Sequence, residues 1–91
     1  MFPISSVIGF LAGLLTTIAN VPQVWKTYRK RSGEGLSLYM LLALAGGLAL
    51  WVVYGVMSKS APIIAPNIAG FLLVAALIVM KVKFDADPAK D

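Results

Sequence analysis

The sequence contains no cysteine and no histidine, and only 13% of its 91 residues are charged. Without these side chains the chain cannot form a disulfide, supply a thiolate nucleophile or build a zinc site of the usual kind. We therefore expect no metal, no cofactor and no enzymatic activity. A soluble domain normally carries roughly 25% charged residues. The low charge content, a hydrophobic content of 59% and a mean hydropathy of +0.86 together indicate a membrane protein.

Charged residues are missing from three long stretches, residues 1–25, 35–58 and 60–80. Because a helix needs about 20 apolar residues to cross a hydrocarbon core of roughly 30 Å, each stretch can span the bilayer once. The sequence therefore predicts an all-α membrane protein with a single three-helix domain over residues 1–84. We place the spans at about residues 5–27, 37–58 and 61–82, and a polar cytoplasmic tail at residues 85–91.

The positive charges are distributed unevenly along the chain. Seven of the eight Lys and Arg residues lie at or beyond the C-terminal end of the first or the third predicted span, and only Lys59 lies between the second and the third. Such residues collect on the cytoplasmic side of a membrane. We therefore expect a multi-pass membrane protein with its N-terminus outside and its C-terminus in the cytoplasm. The same bias explains the pI near 9.7 without a nucleic-acid partner.

Polar and small residues recur along one face of the first two predicted helices. On the first helix they are Gly9, Gly13, Thr16, Asn20, Gln23 and Thr27, and on the second Met40, Ala43, Gly47, Trp51, Tyr54 and Ser58. Spacings of three and four residues put each set on one side of its helix. Gly9 and Gly13 form the GxxxG pattern of helix packing, whereas Asn20 and Gln23 suit either packing or a polar pathway.

Trp51 and Asn67 are predicted to lie at the same depth in the membrane. At 1.5 Å per residue, both fall roughly 5 to 7 Å to the outer side of the midplane. An indole face suits the C–H face of a sugar ring, and a carboxamide suits paired hydroxyl groups. Polar groups inside a span are candidates for function. Tyr54 lies nearer the surface, where an interfacial aromatic belt is an alternative explanation.

Two prolines lie inside the predicted spans. Pro22 cannot donate a hydrogen bond to the carbonyl of Ile18, and Pro66 similarly frees a carbonyl in the third helix. Gln23 is placed to satisfy part of the freed backbone near Pro22. Each proline predicts either a static kink or a hinge.

Several of these residues resemble the motifs of a known family. The series Pro22-Gln23, Trp51-x-x-Tyr54-Gly55 and Pro62-x4-Asn67, spread over three spans, resembles the bacterial SemiSWEET sugar transporters of the PQ-loop and MtN3/saliva superfamily. The resemblance implies a triple-helix bundle of order 1-3-2 in a parallel homodimer that encloses a sugar pathway. It also implies that Trp51 and Asn67 bind the sugar, that Pro22 with Gln23 is the hinge and that Tyr54 belongs to the outer gate.

The polar faces of the first two helices supply further pathway-lining candidates: Thr16, Asn20, Met40 and Gly47. The resemblance also implies a location in the bacterial inner (cell) membrane, and the sequence departs from the family at one point. Relatives use an arginine and an aspartate beyond the gate tyrosine, but here Ser58 and Ser60 occupy the corresponding positions. A second copy of the chain is expected on physical grounds too, because three helices cannot surround a sugar-sized pathway and still shield their polar faces from lipid.

The function predicted from the sequence is a facilitative uniporter for mono- or disaccharides that works by alternating access. Uniport is expected because the three charge-free stretches offer no titratable group of the kind that couples transport to protons. Two alternatives remain at this point. One is a small structural or lesion-forming membrane protein of the holin kind, and the other is a PQ-loop carrier of a non-sugar metabolite.

Overall fold

The computed structural model describes residues 3–86, which form three α-helices. Helix α1 spans Ile4–Lys30, α2 spans Leu38–Met57 and α3 spans Ala61–Asp85. Each is long and apolar enough to cross a membrane, and residues 3–86 contain no strand. The prediction of an all-α protein with three membrane-spanning helices is confirmed.

Local chemistry explains where the helices begin and end. Ser37 caps α2 by accepting a hydrogen bond from the Met40 backbone N–H at 3.2 Å. Pro62 occupies the first turn of α3, where a missing N–H costs no helical hydrogen bond. Helix α1 ends at Arg31, whose left-handed backbone (φ 51°) stops the helix and directs the chain into the next loop.

Helices α1 and α3 extend further at their C-terminal ends than the predicted spans. Helix α1 continues to Lys30. The basic side chains of its last turn stabilise this end, because they interact favourably with the negative end of the helix dipole. Helix α3 includes Asp85, which the sequence analysis assigns to the tail. Asp85 accepts a hydrogen bond from the Gly33 backbone N–H at 3.1 Å, and this contact with the first loop holds it in place. The remaining tail positions, 87–91, lie outside the described residues.

Helix α3 packs against both other helices. Contacts join α1 to α3 and α2 to α3, whereas the backbones of α1 and α2 approach each other nowhere in residues 3–86. These are the contacts that a bundle of order 1-3-2 requires. The shortest dimension of the molecule is only 14 Å, against a length of 54 Å. The three helices therefore form a layer that is too thin to enclose a pathway by itself.

The two ends of the layer differ in packing. We call the end with residues 31–37 the loop end and the end with residues 58–60 the turn end. The buried cluster Leu41, Val74 and Leu77 lies toward the loop end, together with buried Thr27. Toward the turn end residues of all three helices line an open groove.

A charged contact fixes the first loop to α3. Lys81 donates to the Gly33 carbonyl through Nζ at 3.1 Å and pairs with Asp85 at 2.8 Å, while Asp85 accepts from the Gly33 N–H. Gly33 is buried, and a β carbon there would lie 2.9 Å from the Cα of Lys81. We call Gly33, Lys81 and Asp85 the loop clasp. It ties the connection between α1 and α2 to the end of α3.

Candidate functional site

A cavity of about 600 Å³ occupies the turn-end half of the layer. All three helices contribute to its wall, from Ser5 to Asn20 on α1, from Leu44 to Trp51 on α2 and from Pro62 to Val74 on α3. Its polar lining includes four residues singled out from the sequence: Thr16, Asn20, Trp51 and Asn67. None of the residues around this cavity carries a formal charge. The groove therefore suits an uncharged ligand with hydrogen-bonding groups.

Trp51 presents a large aromatic surface at this cavity. Its side chain is 53% exposed in the protomer. Tyr54, one turn further along α2, packs edge-on against it, with ring centroids 5.8 Å apart and planes at 85°. An edge-to-face pair of this kind orients the indole while leaving ring surface open for stacking.

Asn67 is oriented by its own helix. Its Nδ2 donates to the Ile63 carbonyl at 2.7 Å, which uses one of the two N–H groups. The second N–H and the Oδ1 acceptor have no partner in residues 3–86. Asn67 thus retains both a donor and an acceptor for a ligand hydroxyl.

Two polar residues of α1 likewise donate hydrogen bonds to carbonyl groups of their own helix. Thr16 donates its hydroxyl to the Ala12 carbonyl at 2.9 Å, and Asn20 donates Nδ2 to the Thr16 carbonyl at 2.9 Å. Each side chain thus spends a donor on its own helix and keeps its oxygen available as an acceptor. Together with Asn67, they give the cavity a surface rich in acceptors. Such a surface matches a ligand with several hydroxyl donors.

Two close contacts between α1 and α3 form one edge of this cavity. A β carbon at Gly9 would lie 3.1 Å from the Cβ of Pro62, and one at Gly13 would overlap the ring of Pro66. The glycines therefore allow the proline-bearing face of α3 to approach α1. Pro66 directly precedes Asn67, so this packing also determines where the carboxamide lies.

A second cavity, of about 580 Å³, lies beside the first and is mostly apolar. Its lining includes Gly47, Trp51, Tyr54 and Ile63. Trp51 contributes to both cavities and so lies on the wall between them. Two of the sequence-predicted residues, Gly47 and Tyr54, belong to this second cavity and not to the first.

The hinge candidates lie outside both cavities. Pro22 is exposed, and α1 runs through it as one continuous helix. The neighbouring Gln23 provides the carbonyl that accepts the Thr27 hydroxyl at 2.9 Å. Pro22 is located two residues beyond Asn20, the last α1 residue of the groove, and two residues before Val24, which packs against the core. It thus marks the boundary between the open half of α1 and the packed half.

Met40 also lies outside both cavities. It is in the first turn of α2 at the loop end, four residues before Leu44, where the α2 wall of the groove begins.

The serines at the turn end play two different structural roles. Ser58 donates its hydroxyl to the Tyr54 carbonyl at 2.8 Å, so it completes the end of its own helix. Ser60 lines the large cavity with Ser5 and Ser6, which the sequence analysis did not single out. The helical stripe that contains Gly9 and Gly13 continues backwards to Ser5 and would have identified that residue.

Fold and groove together define a class of protein. Three helices that can each span a membrane, with a polar but uncharged groove between them, place the chain among small multi-pass membrane proteins. Comparison with known proteins gives the family. Residues 4–64 match the PQ-loop repeat family.

Several relatives carry the name sugar transporter SemiSWEET. The one from Bradyrhizobium diazoefficiens is 44% identical over 77 residues, which cover 85% of this chain and 90% of the relative. The one from Escherichia coli is 35% identical over 72 residues, covering 79% and 81%.

Two crystal structures share the fold. A bacterial homologue of SWEET transporters superimposes with a TM-score of 0.85 and 36% identity over 90% of this chain and 99% of the other. SemiSWEET in the inward-open conformation gives a TM-score of 0.79 and 32% identity over 86% and 91%. The chain belongs to the PQ-loop repeat family, among the SemiSWEET proteins, which confirms the resemblance found in the sequence.

Proposed function

We propose that this protein is a sugar transporter that carries a neutral mono- or disaccharide across the membrane. The observation that carries this proposal is the uncharged groove in which the Trp51 ring and the free acceptors of Thr16, Asn20 and Asn67 line one cavity. Sugars combine an apolar C–H face with many hydroxyl donors, so they use both features. The names of the two SemiSWEET relatives support the same substrate class.

Trp51 and Asn67 form the core of the proposed binding site. The indole stacks on the C–H face of the sugar ring, and the carboxamide exchanges hydrogen bonds with neighbouring hydroxyls. Thr16 and Asn20 accept from hydroxyls on the opposite, α1 side of the groove. A carrier of amino acids or other charged metabolites would need an ionic partner at the site, and the lining has none.

A parallel homodimer completes the pathway. The layer is 14 Å thick, and its groove is open to one side, so a second copy is needed to form the other wall. Both copies have the same distribution of basic residues and therefore insert in the same orientation. An axis normal to the membrane relates them, with the turn end and the N-terminus outside and the loop end in the cytoplasm of a bacterial cell.

Transport occurs by alternating access with a hinge at Pro22. The carbonyl of Ile18 lacks its usual helical donor because Pro22 has no N–H, which weakens α1 at the border between its open and packed halves. Bending there changes the loop-end half of α1 without disturbing Thr16 and Asn20. Tyr54, beside the sugar-binding Trp51, closes the outer side of the pathway.

The decisive experiment is uptake of a panel of labelled sugars by liposomes that contain the purified protein. We expect saturable uptake of at least one sugar, lost in both Trp51→Ala and Asn67→Leu while each variant remains a folded dimer. Leu72→Ala is the matched control because Leu72 is exposed on α3 and lines neither cavity.

Other results of the same experiment would contradict the proposal. Release of trapped dyes or ions along with sugar would indicate a lesion-forming protein. No uptake of any sugar, together with uptake of labelled amino acids in a parallel assay, would indicate a carrier of another metabolite.

A further inference from the structure

Two arginines at the loop end lie over aromatic rings. The guanidinium carbon of Arg29 is 5.8 Å from the centre of the Trp25 ring, one helical turn earlier. That of Arg31 is 5.3 Å from the Tyr28 ring and 5.9 Å from the Phe84 ring. Trp25 and Tyr28 stack on each other with centroids 6.2 Å apart. These five residues, the arginine–aromatic cluster, connect the end of α1 with the end of α3.

Within residues 3–86 neither arginine of this cluster has a salt-bridge partner. The salt bridge found there joins Lys81 and Asp85, and no carboxylate of these residues lies within 4 Å of a nitrogen of Arg29 or Arg31. Contact with a ring uses the flat face of a guanidinium and leaves the N–H groups at its edge available. Arg29 and Arg31 therefore present two sets of planar donors that suit an oxyanion.

The cluster lies where the apolar part of α1 ends. Residues 1–25 carry no charge, and basic residues begin at Lys26. Trp25 and Tyr28 are 57% and 50% exposed, as expected for side chains at the level of lipid headgroups. From Trp25 toward the middle of α1, the helix surface continues with apolar side chains such as Val21 and Ile18, which are 47% and 54% exposed.

We propose that the arginine–aromatic cluster binds the headgroup of an anionic phospholipid. The two guanidiniums donate to the phosphodiester oxygens, while the exposed rings pack against the glycerol and the upper acyl chains. The apolar surface below the rings favours a lipid over free phosphate, because acyl chains can follow α1 into the membrane. This site is separate from the sugar groove and does not depend on the proposed transport.

Tryptophan fluorescence offers a direct test because the chain has only two tryptophans. In a Trp51→Phe protein, Trp25 is the only reporter. The protein is placed in phosphatidylcholine vesicles that contain a minor fraction of phosphatidylglycerol brominated near the headgroup. A parallel sample contains brominated phosphatidylcholine at the same fraction. Stronger quenching by the phosphatidylglycerol measures its local enrichment around the cluster.

We expect enrichment of phosphatidylglycerol that falls by about fivefold for each arginine removed, the factor that corresponds to about 1 kcal/mol per basic residue at a membrane surface. Arg29→Gln and Arg31→Gln should each lower it, and the double variant should bring the two lipids to parity. Lys83→Gln is the control, because it removes one positive charge from the same end without a ring contact. Arg29→Gln carries the test if Arg31→Gln fails to fold.

Three results would overturn the proposal. Equal quenching by the two lipids in the Trp51→Phe protein would exclude a preference for the anionic headgroup. An equal loss in the Lys83→Gln control would show diffuse attraction between the basic end and the membrane instead of a site. Displacement of the lipid by inorganic phosphate at constant ionic strength would assign the cluster to the free anion.

Discussion

Gly13 of α1 lies directly against the ring of Pro66 of α3, with no room for a side chain between them. One turn earlier, Gly9 faces Pro62 in the same way. The contact brings two prolines into the packing surface, where the glycine face of α1 accommodates their rings. It also connects the packing of the bundle to the groove, since Asn67 follows Pro66 in the sequence.

Gly13→Ala should destabilise the bundle. The new methyl group would overlap the Pro66 ring, and overpacking of this kind costs about 1–3 kcal/mol. Thermal unfolding in detergent measures the effect. Gly46→Ala is the matched control, because a β carbon there meets nothing within 4 Å. Equal melting temperatures for the two variants would show that α1 and α3 separate without cost.

Pro22→Ala should slow transport more than it weakens sugar binding. The alanine restores a donor for the Ile18 carbonyl and so stiffens α1 at the proposed hinge. We expect the uptake rate to fall roughly tenfold or more, equivalent to about 1.4 kcal/mol in the barrier. Binding, followed by the fluorescence of Trp51, should change little. Val21→Ala, at the adjacent exposed position, is the control. Unchanged turnover in Pro22→Ala would show that Pro22 is not a hinge and has only a static role in the helix.

Tyr54→Ala should impair transport more than either serine variant at the turn end. The tyrosine ring supports Trp51 and lines the second cavity. The Ser58 hydroxyl is bonded to its own helix, and Ser60 can supply only a neutral hydroxyl. Initial uptake rates of Tyr54→Ala, Ser58→Ala and Ser60→Ala give the ranking. Similar losses in all three would indicate a hydrogen-bonded gate formed by the serines.

Sugar should equilibrate without accumulating. No acidic or basic residue lines the groove, so the groove has no charged group whose protonation could change during transport. Initial rates in proteoliposomes should be insensitive to a protonophore, to sodium and to an imposed potential. Accumulation above the external concentration that collapses with an ion gradient would instead reveal a coupling site made from backbone oxygens.

Lys81→Met should loosen the loop clasp. It removes the donor to the Gly33 carbonyl and the partner of Asp85, both at a partly exposed position, so we expect a loss of about 1–2 kcal/mol. Thermal unfolding is the measurement. Lys83→Met serves as the control, because Lys83 is exposed and forms no ion pair in residues 3–86. A clasp without structural importance would give both variants the same stability.

The sequence predicts the three helices and the residues that face the groove better than it predicts which residues contact each other between helices. Charge-free stretches reveal the three helices, because a lipid environment excludes charge over a whole span. Depth arithmetic puts Trp51 and Asn67 at one height, and both line one cavity. Helical periodicity also groups Met40 with Trp51, but periodicity has no information on where a groove ends, and the α2 wall begins at Leu44.

Sequence patterns of this kind do not predict contacts between residues that are far apart in the chain. Asp85 looks like part of a polar tail, but it accepts a hydrogen bond from Gly33, 52 residues earlier. The GxxxG pattern predicts that Gly13 packs against a helix but cannot identify Pro66 as the group it meets. Such pairings depend on which helices are neighbours, and that information is not local.

The central position of α3 has a consequence for biosynthesis. During translation α1 and α2 enter the membrane first, yet in residues 3–86 their backbones do not approach each other, whereas both approach α3. A nascent chain with only its first two helices in the membrane therefore lacks the helix against which both pack, and the glycine face of α1 remains open to other helices in the membrane. Packing of the protomer therefore begins only when α3 enters the membrane. The interval between the insertion of α2 and that of α3 is the period in which the chain is most exposed to quality-control proteases.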